Sequence, residues 1–370
     1  MCCIRPSACA GDDQCHDNDC FAHTRRHTFT RDGSGPTASD CFKLLLRPPS
    51  FHSHTTPLHS AQGRKCVMSS HITIAIATYR RPEELDSLLR SLPPAIAQVA
   101  DHVCRVIVVD NDPDQSASTT CARSALPLDY LWEPKPGISA ARNRAIAHAK
   151  GTDWIVFLDD DEIVGRHWLA ELIRMQSLTG AEMIAGPVKS LLPATTPSYI
   201  VGSRLFDRPP KDNGSFQNEA GSGNLLCKYA LFSEREPSEW FLDSFGLTGG
   251  GDSELTRRFR REGARIAWAA HAEVYETVPL ARTSLRWLAR RYRRVGAIDY
   301  RLGEDSRYKR LRGVLGGAGR IASGATSLAW NLLAHARLDA PAFRRIFRGV
   351  GFIETALGGG YREYARQGDV

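Results

Sequence analysis

The sequence predicts an α/β fold, a mainly parallel mixed sheet flanked by helices, set between an unstructured leader and a helical extension. Two observations carry this. From Ser69 onward, apolar β-branched runs of strand length alternate with segments whose apolar residues recur at helical spacing, the pattern of a sheet covered by helices. Two of the first three strands also break off in clusters of Asp, and such sheets bind ligands beyond the carboxyl ends of their strands.

His71 to Thr78, rich in Ile and Thr, is the first strand. Pro82 suits the first turn of the helix that follows, Glu83 and Glu84 suit its positive end, and Leu85, Leu88, Leu89 and Leu92 give it one apolar face. Arg105 to Val109 is a second buried strand, closed by the Asx-rich turn from Asp110 to Asp114. Gly137 precedes a helix with the stripe Ile138, Ala141, Ala145, Ile146 and Ala149, and Gly151 ends it. Trp154 to Leu158 is the third strand, interrupted by Asp159, Asp160, Asp161 and Glu162, and a helix around Trp168, Leu169, Leu172 and Ile173 comes next. Farther on, Gly221-Ser222-Gly223-Asn224 turns into apolar Leu225 and Leu226. The glycines before Asp252 lead into an amphipathic helix on Leu255 and Phe259. Trp268 to Tyr275 reads as a last strand, stopped by Val278 and Pro279.

The chain has 370 residues, 42% hydrophobic and 24% charged, which excludes a disordered or fibrous protein and suffices for one large or two ordinary domains. No run of 18 apolar residues occurs, so no membrane span is expected. Asp12, Asp13, Asp17 and Asp19 stand where the apolar core of a secretory signal would be. Residues 1–68 have half of the histidines and no periodicity, and are expected to be disordered. Cys15, Cys20, His23 and His27 are zinc-type ligands, but their spacing fits no compact finger; a functional start at Met68 would make the leader dispensable. Only Cys104, Cys121 and Cys227 follow Cys66, as in a reduced, cytosolic protein. The net charge of +7 divides into +2 for residues 1–67 (8 Lys/Arg against 6 Asp/Glu), −6 for 68–280 (22 against 28) and +11 for 281–370 (18 against 7). The basic character thus belongs to a tail whose expected partner is anionic.

Adjacent carboxylates repel, so Asp159, Asp160 and Asp161 need a cation or donors. Oxygen ligands favour Mg2+ or Mn2+, while a solvated turn capping the next helix is the plainer reading. Four motifs in order decide between them: Thr78-Tyr79-Arg80-Arg81-Pro82, Val108-Val109-Asp110-Asn111, Gly137 to Asn143, and Phe157 to Glu162. From about Ser70 to Gly296 this series resembles the family 2 glycosyltransferases of the GT-A fold, most similarly bacterial exopolysaccharide and cell-wall glucosyltransferases of the succinoglycan type. The resemblance implies a nucleotide-sugar half at 69–200, an acceptor half at 201–280, a nucleotide-diphospho-sugar donor (a UDP-sugar) and Mg2+ or Mn2+. It implies that Thr78, Tyr79, Arg80, Asp110 and Asn111 line the base and ribose pocket, and that Arg142 and Asn143 add donors near the diphosphate. Asp159, Asp160 and Asp161 match Asp-x-Asp, with Asp159 and Asp160 on the nucleotide, Asp159 nearer the ribose, and Asp161 together with Asp159 on the metal.

From the residues alone Asp252 reads as a helix N-cap. In the resembling enzymes this position is the base that deprotonates the acceptor hydroxyl, preceded by a Glu where this chain has Gly251. One carboxylate, with leaving-group help from metal and cations, implies inversion, an α-linked donor giving a β-linkage. Thr283-Ser284-Leu285-Arg286-Trp287 resembles the Gln-x-x-Arg-Trp motif of processive synthases with Thr for Gln, so one sugar per encounter is expected, with Arg286 and Trp287 on the substrate. His271 is expected to be structural.

Residues 281–370 form the basic amphipathic tail. Arg282, Arg286, Arg290, Arg293 and Arg294 interleave with Leu285, Trp287, Leu288, Tyr292 and Val295, which suits either a membrane surface or a helix packed on the catalytic part. The expected acceptor is a lipid-linked saccharide or an oligosaccharide in polysaccharide or cell-envelope synthesis. The expected place is cytoplasmic, peripheral on the inner face of the plasma membrane. Nucleic acid is not an expected partner, because it leaves the acidic strand ends unexplained. The rival reading is a non-catalytic sugar-nucleotide-binding or scaffold protein.

Overall fold

The computed structural model describes residues 69–303, 305–335 and 338–359. The leader, with Cys15, Cys20, His23, His27 and the start at Met68, lies outside the described residues. Strands β1 (His71–Thr78), β2 (Val103–Asp110), β3 (Asp129–Trp132) and β4 (Trp154–Asp159) run parallel, connected through helices α1 (Pro82–Ile96), α2 (Ser118–Ala122) and α3 (Ile138–His148). The chain continues through β5 (Glu162–Val164), α4 (Trp168–Thr179), β6 (Met183–Ala185), β7 (Val188–Leu191) and α5 (Ser198–Ser203). Then come β8 (Asn224–Lys228), α6 (Ala230–Ser233), α7 (Gly251–Arg261), β9 (Ile266–Trp268) and β10 (Val274–Thr277). The main sheet has the order β3-β2-β1-β4-β8-β6-β9, and β8 alone runs against its neighbours. A smaller sheet, β5-β10-β7, stands beside it.

Alternation along the strands assigns the two faces. Ile72, Ile74, Ile76, Val106, Val108, Val156 and Leu158 pack with the leucines of α1 and with Trp168, Leu169 and Leu172 of α4. Ala75, Ala77, Ile107, Val109, Ile155 and Phe157 pack with Ala141, Ala145 and Ile146 of α3, Leu255 and Phe259 of α7, and Phe232, Trp240 and Phe241. Small alanines on β1 let α3 lie close over the sheet.

Two expectations are corrected. Trp268–Tyr275 is two strands in two different sheets, because the chain turns between them: Ala272 N donates to Ala269 O (3.1 Å), and Ala269 N is tied to Ala185 O of β6 (2.8 Å). The acidic triplet does not cap α4, since β5 intervenes and His167 holds the cap position.

The tail is three helices, α8 (Leu285–Arg301), α9 (Lys309–His335) and α10 (Ala340–Ala356). Ser284 caps α8, accepting from Trp287 N. Leu288 of α8 is buried with Ile200, Leu205, Phe206 and Val278 of the preceding α/β part and with Ala340 and Phe343 of α10. Close helix contact relies on Gly296, facing Arg348 O, and Gly351, facing Arg293 O, where a side chain would overlap backbone. On α9, Gly313, Gly317 and Gly324 are buried, while Leu311, Leu315, Trp330 and Leu333 stand exposed. No helix among the described residues is long and apolar enough to cross a membrane.

Candidate active site

The register of the parallel strands sets Thr78 beside Asp110 and Ala77 beside Asp159, so the motifs found in the sequence meet at one sheet edge. A cleft of about 1320 Å³ opens there. That exceeds the roughly 300–1,000 Å³ of a single small-molecule pocket, leaving room for two substrates. Thr78, Tyr79, Arg81, Asn111, Arg142 and the run Asp159 to Glu162 line one side, Gly221, Gly223 and Asp252 another, and Arg282, Trp287 and Arg291 the tail side.

The acidic turn is held from within. Asp160 is buried and accepts from Thr78 Oγ1 (2.9 Å) and Tyr79 N (3.3 Å). Arg81 Nη1 bridges Asp160 (2.9 Å) and Asp161 (2.8 Å), and Arg142 Nη2 reaches Asp159 Oδ1 at 2.8 Å. Glu162 is fully buried; its carboxylate accepts from Asp159 N (2.9 Å). Burial pushes the Asp161 carboxyl up to about 7, with Arg81 opposing and Asp159, Asp160 and Glu276 adding to the shift. Burial also raises Asp160, against the pull of Arg81, and raises Glu162 well above the usual carboxylate range. For Arg81, burial works against the charge, but Asp160 and Asp161 outweigh it and hold the guanidinium ionised.

Several sequence-predicted residues also make structural contacts. Asp110 is fully buried and off the cleft, its carboxylate accepting from Asp112 N (2.9 Å), Ala117 N (2.8 Å) and Tyr130 Oη (3.1 Å). Asn111 spans the next loop, donating to Glu133 O (2.8 Å) and Lys135 O (2.7 Å) and accepting from Gly137 N (2.9 Å). Arg80 turns away on a left-handed backbone (φ 55°) to Asp112 and Asp114, and its neighbour Arg81, for which no role was expected, takes the cleft. Asn143 clamps the Phe241 backbone with bonds of 2.9 and 3.0 Å. Tyr79 lines the cleft half-exposed. Trp287 stacks on Phe206 (6.3 Å), with Arg282 and Arg291 over its ring, while Arg286 is exposed outside the lining. Exposed His271 also lies outside it.

Asp252 sits inside the first turn of α7, and the cap position belongs to Gly250 (φ 89°), so it is not the N-cap. Backbone amides meet it, Ser253 N at 2.8 Å and Ser222 N at 3.4 Å, and no cation pairs with it among the described residues. Gly221 and Gly223 clear the space between the carboxylates. A Cβ at Gly223 would collide with Glu162 and stand 3.1 Å from Asp159 Oδ2, and one at Gly221 would stand 3.4 Å from Asp252 Oδ2. Gly251 faces Phe245, Ser139 and Phe241, with a Cβ there 3.3 Å from Phe245 Cβ.

A divalent cation is tested by the donor set. No group of three His, Cys, Asp or Glu stands ready for a metal among the described residues. Asp159 and Asp161 are hard oxygen donors of the kind that would hold a Mg2+ or Mn2+, and their ion pairs with Arg142 and Arg81 show that the turn draws positive charge.

The family model described as glycosyl transferase family 2 matches residues 73–218. The succinoglycan biosynthesis protein ExoM of Rhizobium meliloti (strain 1021) is 36% identical over 240 residues, 63% of this chain and 75% of that protein. The glycosyltransferase AglE of Haloferax volcanii is 23% identical over 202 residues, 54% of this chain and 64% of that one. The mannosyltransferase PcManGT of Pyrobaculum calidifontis, solved with GDP-Man and Mn2+, superimposes with a TM-score of 0.53 at 15% identity, over 79% of this chain and 88% of that one. At that identity the likeness concerns the fold.

Proposed function

The chain belongs to the family 2 glycosyltransferases, with their GT-A fold, and on that premise we propose that it is an inverting, non-processive transferase. It moves a sugar from a nucleotide-diphospho-sugar, a UDP-sugar by this reading, to a hydroxyl of a lipid-linked saccharide or an oligosaccharide in polysaccharide synthesis. One observation carries it: Asp252, unpaired by any cation among the described residues, lines the same cleft as Asp159, Asp160 and Asp161, with two glycines clearing the space between.

Asp252 accepts the acceptor proton while the hydroxyl attacks the anomeric carbon from the side opposite the leaving nucleotide. Burial on the sheet edge and the Arg81 pair keep the acidic turn in one conformation. Arg142, stacked over Phe241 at 5.4 Å, presents its guanidinium to the departing diphosphate. Asp159 and Asp161 would hold Mg2+ or Mn2+, which when bound supplies charge to the leaving group. Tyr79 offers a ring to the base, and Asn111 fixes the loop over it. The tail, basic and with an uncovered apolar face on α9, brings the cleft to the inner face of a membrane where a lipid-linked acceptor resides.

The test is a panel of nucleotide sugars with Mn2+ or EDTA, scoring released nucleoside diphosphate. Turnover should require the metal, Asp161→Ala should abolish it, and Asp252→Asn should cut it by about 10²–10⁴-fold, the span of a general base. Near wild-type transfer by Asp252→Asn would reject the base assignment.

A further inference from the structure

The glycine loop that delivers Asp252 is gripped from two sides, and one grip comes from the tail. On the donor side, Ile138 N donates to Gly246 O (3.2 Å) and Ser139 Oγ donates to Leu242 O (3.1 Å), so the loop is fixed to the start of α3, the helix that carries Arg142. On the other side lies the last turn of α8. The Arg301 guanidinium stacks on the Phe245 ring at 4.5 Å, Nη2 donates to Ser244 O (3.0 Å) and Nη1 donates to Thr248 Oγ1. One turn earlier, Ile298 fills the space over Gly250, where a Cβ would stand 2.6 Å from Ile298 Cγ2. Gly250 also needs its positive φ of 89°, so its backbone conformation and the seat of α8 demand the same residue.

No hydrogen bond or ion pair joins Asp252 to the tail among the described residues; its oxygens meet Ser253 N and Ser222 N. Its position depends on where α7 begins, and α7 begins directly after the residues that Arg301 and Ile298 hold. Without them, Gly249 and Gly250 would leave the approach to α7 loose, since glycine imposes little backbone preference.

We propose that Arg301 is a positioning residue for the Asp252 loop, so that the C-terminal helical unit is a working part of acceptor activation as well as a surface for partners. The proposal rests on the reading of Asp252 as the base. Three groups carry the coupling: the guanidinium across Phe245, the bond to Ser244 and the bond to Thr248. Lys can keep the cation over the ring but cannot hold both oxygens in one planar fork.

Hydrogen–deuterium exchange on the full chain, with Arg301→Ala, Arg301→Lys, Thr248→Ser and Thr248→Val, reads the clamp directly. Arg301→Ala should raise exchange in residues 243–252 and leave the strands of the main sheet unchanged. Turnover of UDP-glucose with Mn2+ should fall about 10–100-fold, as for a catalytic group displaced by about 1 Å, with KM for UDP-glucose unchanged. Arg301→Lys should recover part of both effects. Thr248→Ser, which keeps the hydroxyl and its contacts to Ser244 O and Gly249 O (3.3 and 3.4 Å), should behave as the unaltered chain, while Thr248→Val, which removes the Arg301 acceptor together with those contacts, should show the same pattern as Arg301→Ala and covers the case in which Arg301→Ala does not fold. Unchanged exchange in 243–252, or faster exchange at full turnover, overturns the proposal. Asp252→Asn is measured in parallel: if it turns over normally, the base assignment has failed, while the exchange data still report on the clamp.

Discussion

Arg81 supplies the compensating charge for a turn in which Asp160 and Glu162 are buried and Asp161 nearly so. Its partners stand at 2.9 and 2.8 Å, Arg142 pairs Asp159 at 2.8 Å and Arg282 stands 3.7 Å from Asp161, yet burial first, and the neighbouring carboxylates second, raise the Asp161 and Glu162 carboxyls. Asp161 titrates near 7 in the folded chain against about 3.9 when unfolded. Between those values the folded protein binds more protons than the unfolded one, so stability is fully present below about pH 4 for this group and falls as pH rises towards 7. Glu162 acts in the same direction. In EDTA, the melting temperature should therefore decline from pH 5 to pH 8, and Asp161→Asn should flatten that decline. A melting temperature that rises across this interval with Asp161 intact would contradict the assignment. Mn2+ should restore stability most at the alkaline end, where the carboxylates are free to bind it.

At the scale of elements, close approach limits what the tail can tolerate. Gly296 of α8 faces the Arg348 carbonyl of α10 so tightly that any Cβ must push the helices apart. Gly296→Ala should destabilise by about 1–3 kcal/mol, the usual penalty of overpacking, read by urea unfolding. Gly151 offers a contrast: a Cβ there would meet nothing within 4 Å, and with φ at 88° any cost is backbone strain alone. Period and punctuation made β1, β2, β4, α1, α3 and α7 legible, because each is specified by residues within the segment. The break between β9 and β10 was not, because it depends on Ala269 N bonding across to Ala185 in another strand. The same holds for side chains. Asp110 and Asn143 have the chemistry of ligand contacts, yet their partners, Ala117 and Phe241, are fixed by loops 7 and 98 residues away. Arg80 and Arg81 are neighbours of one type, and only the left-handed turn at Arg80 decides which of them enters the cleft. The acidic run after β4 and the glycines before Asp252 were legible only through the ordered motifs around them, since taken alone each also suits a capping turn.

Across the whole molecule, charge and apolar surface are divided between the cleft and the tail. Arg282 and Arg291 of the tail turn inward over Trp287 and line the cleft, where Arg282 Nη1 stands 3.7 Å from Asp161 Oδ2, so this part of the basic surface faces the acidic turn. The outward contact falls to α9, 27 residues long, or about 40 Å at 1.5 Å per residue. Its glycine face is buried, and on the opposite side Leu311, Leu315 and Leu333 follow one another at helical spacing with Trp330 beside them; Leu333 is 88% exposed and Trp330 68%. Arg307, Arg310 and Arg312 cluster at its start. We propose that this exposed apolar face, with cations at one end of a helix too polar to cross a membrane, lies in the interfacial zone of an anionic bilayer. The full chain should therefore float with vesicles containing anionic lipid. Raising salt should weaken the association as the Debye length shortens from about 10 Å at 0.1 M to about 3 Å at 1 M. Trp330→Glu together with Leu333→Glu should abolish flotation while leaving metal-dependent hydrolysis of the donor intact, because neither residue lines the cleft. Flotation that survives the double substitution would move the contact to another face, and the absence of flotation by the unaltered chain would remove the membrane from the reaction altogether.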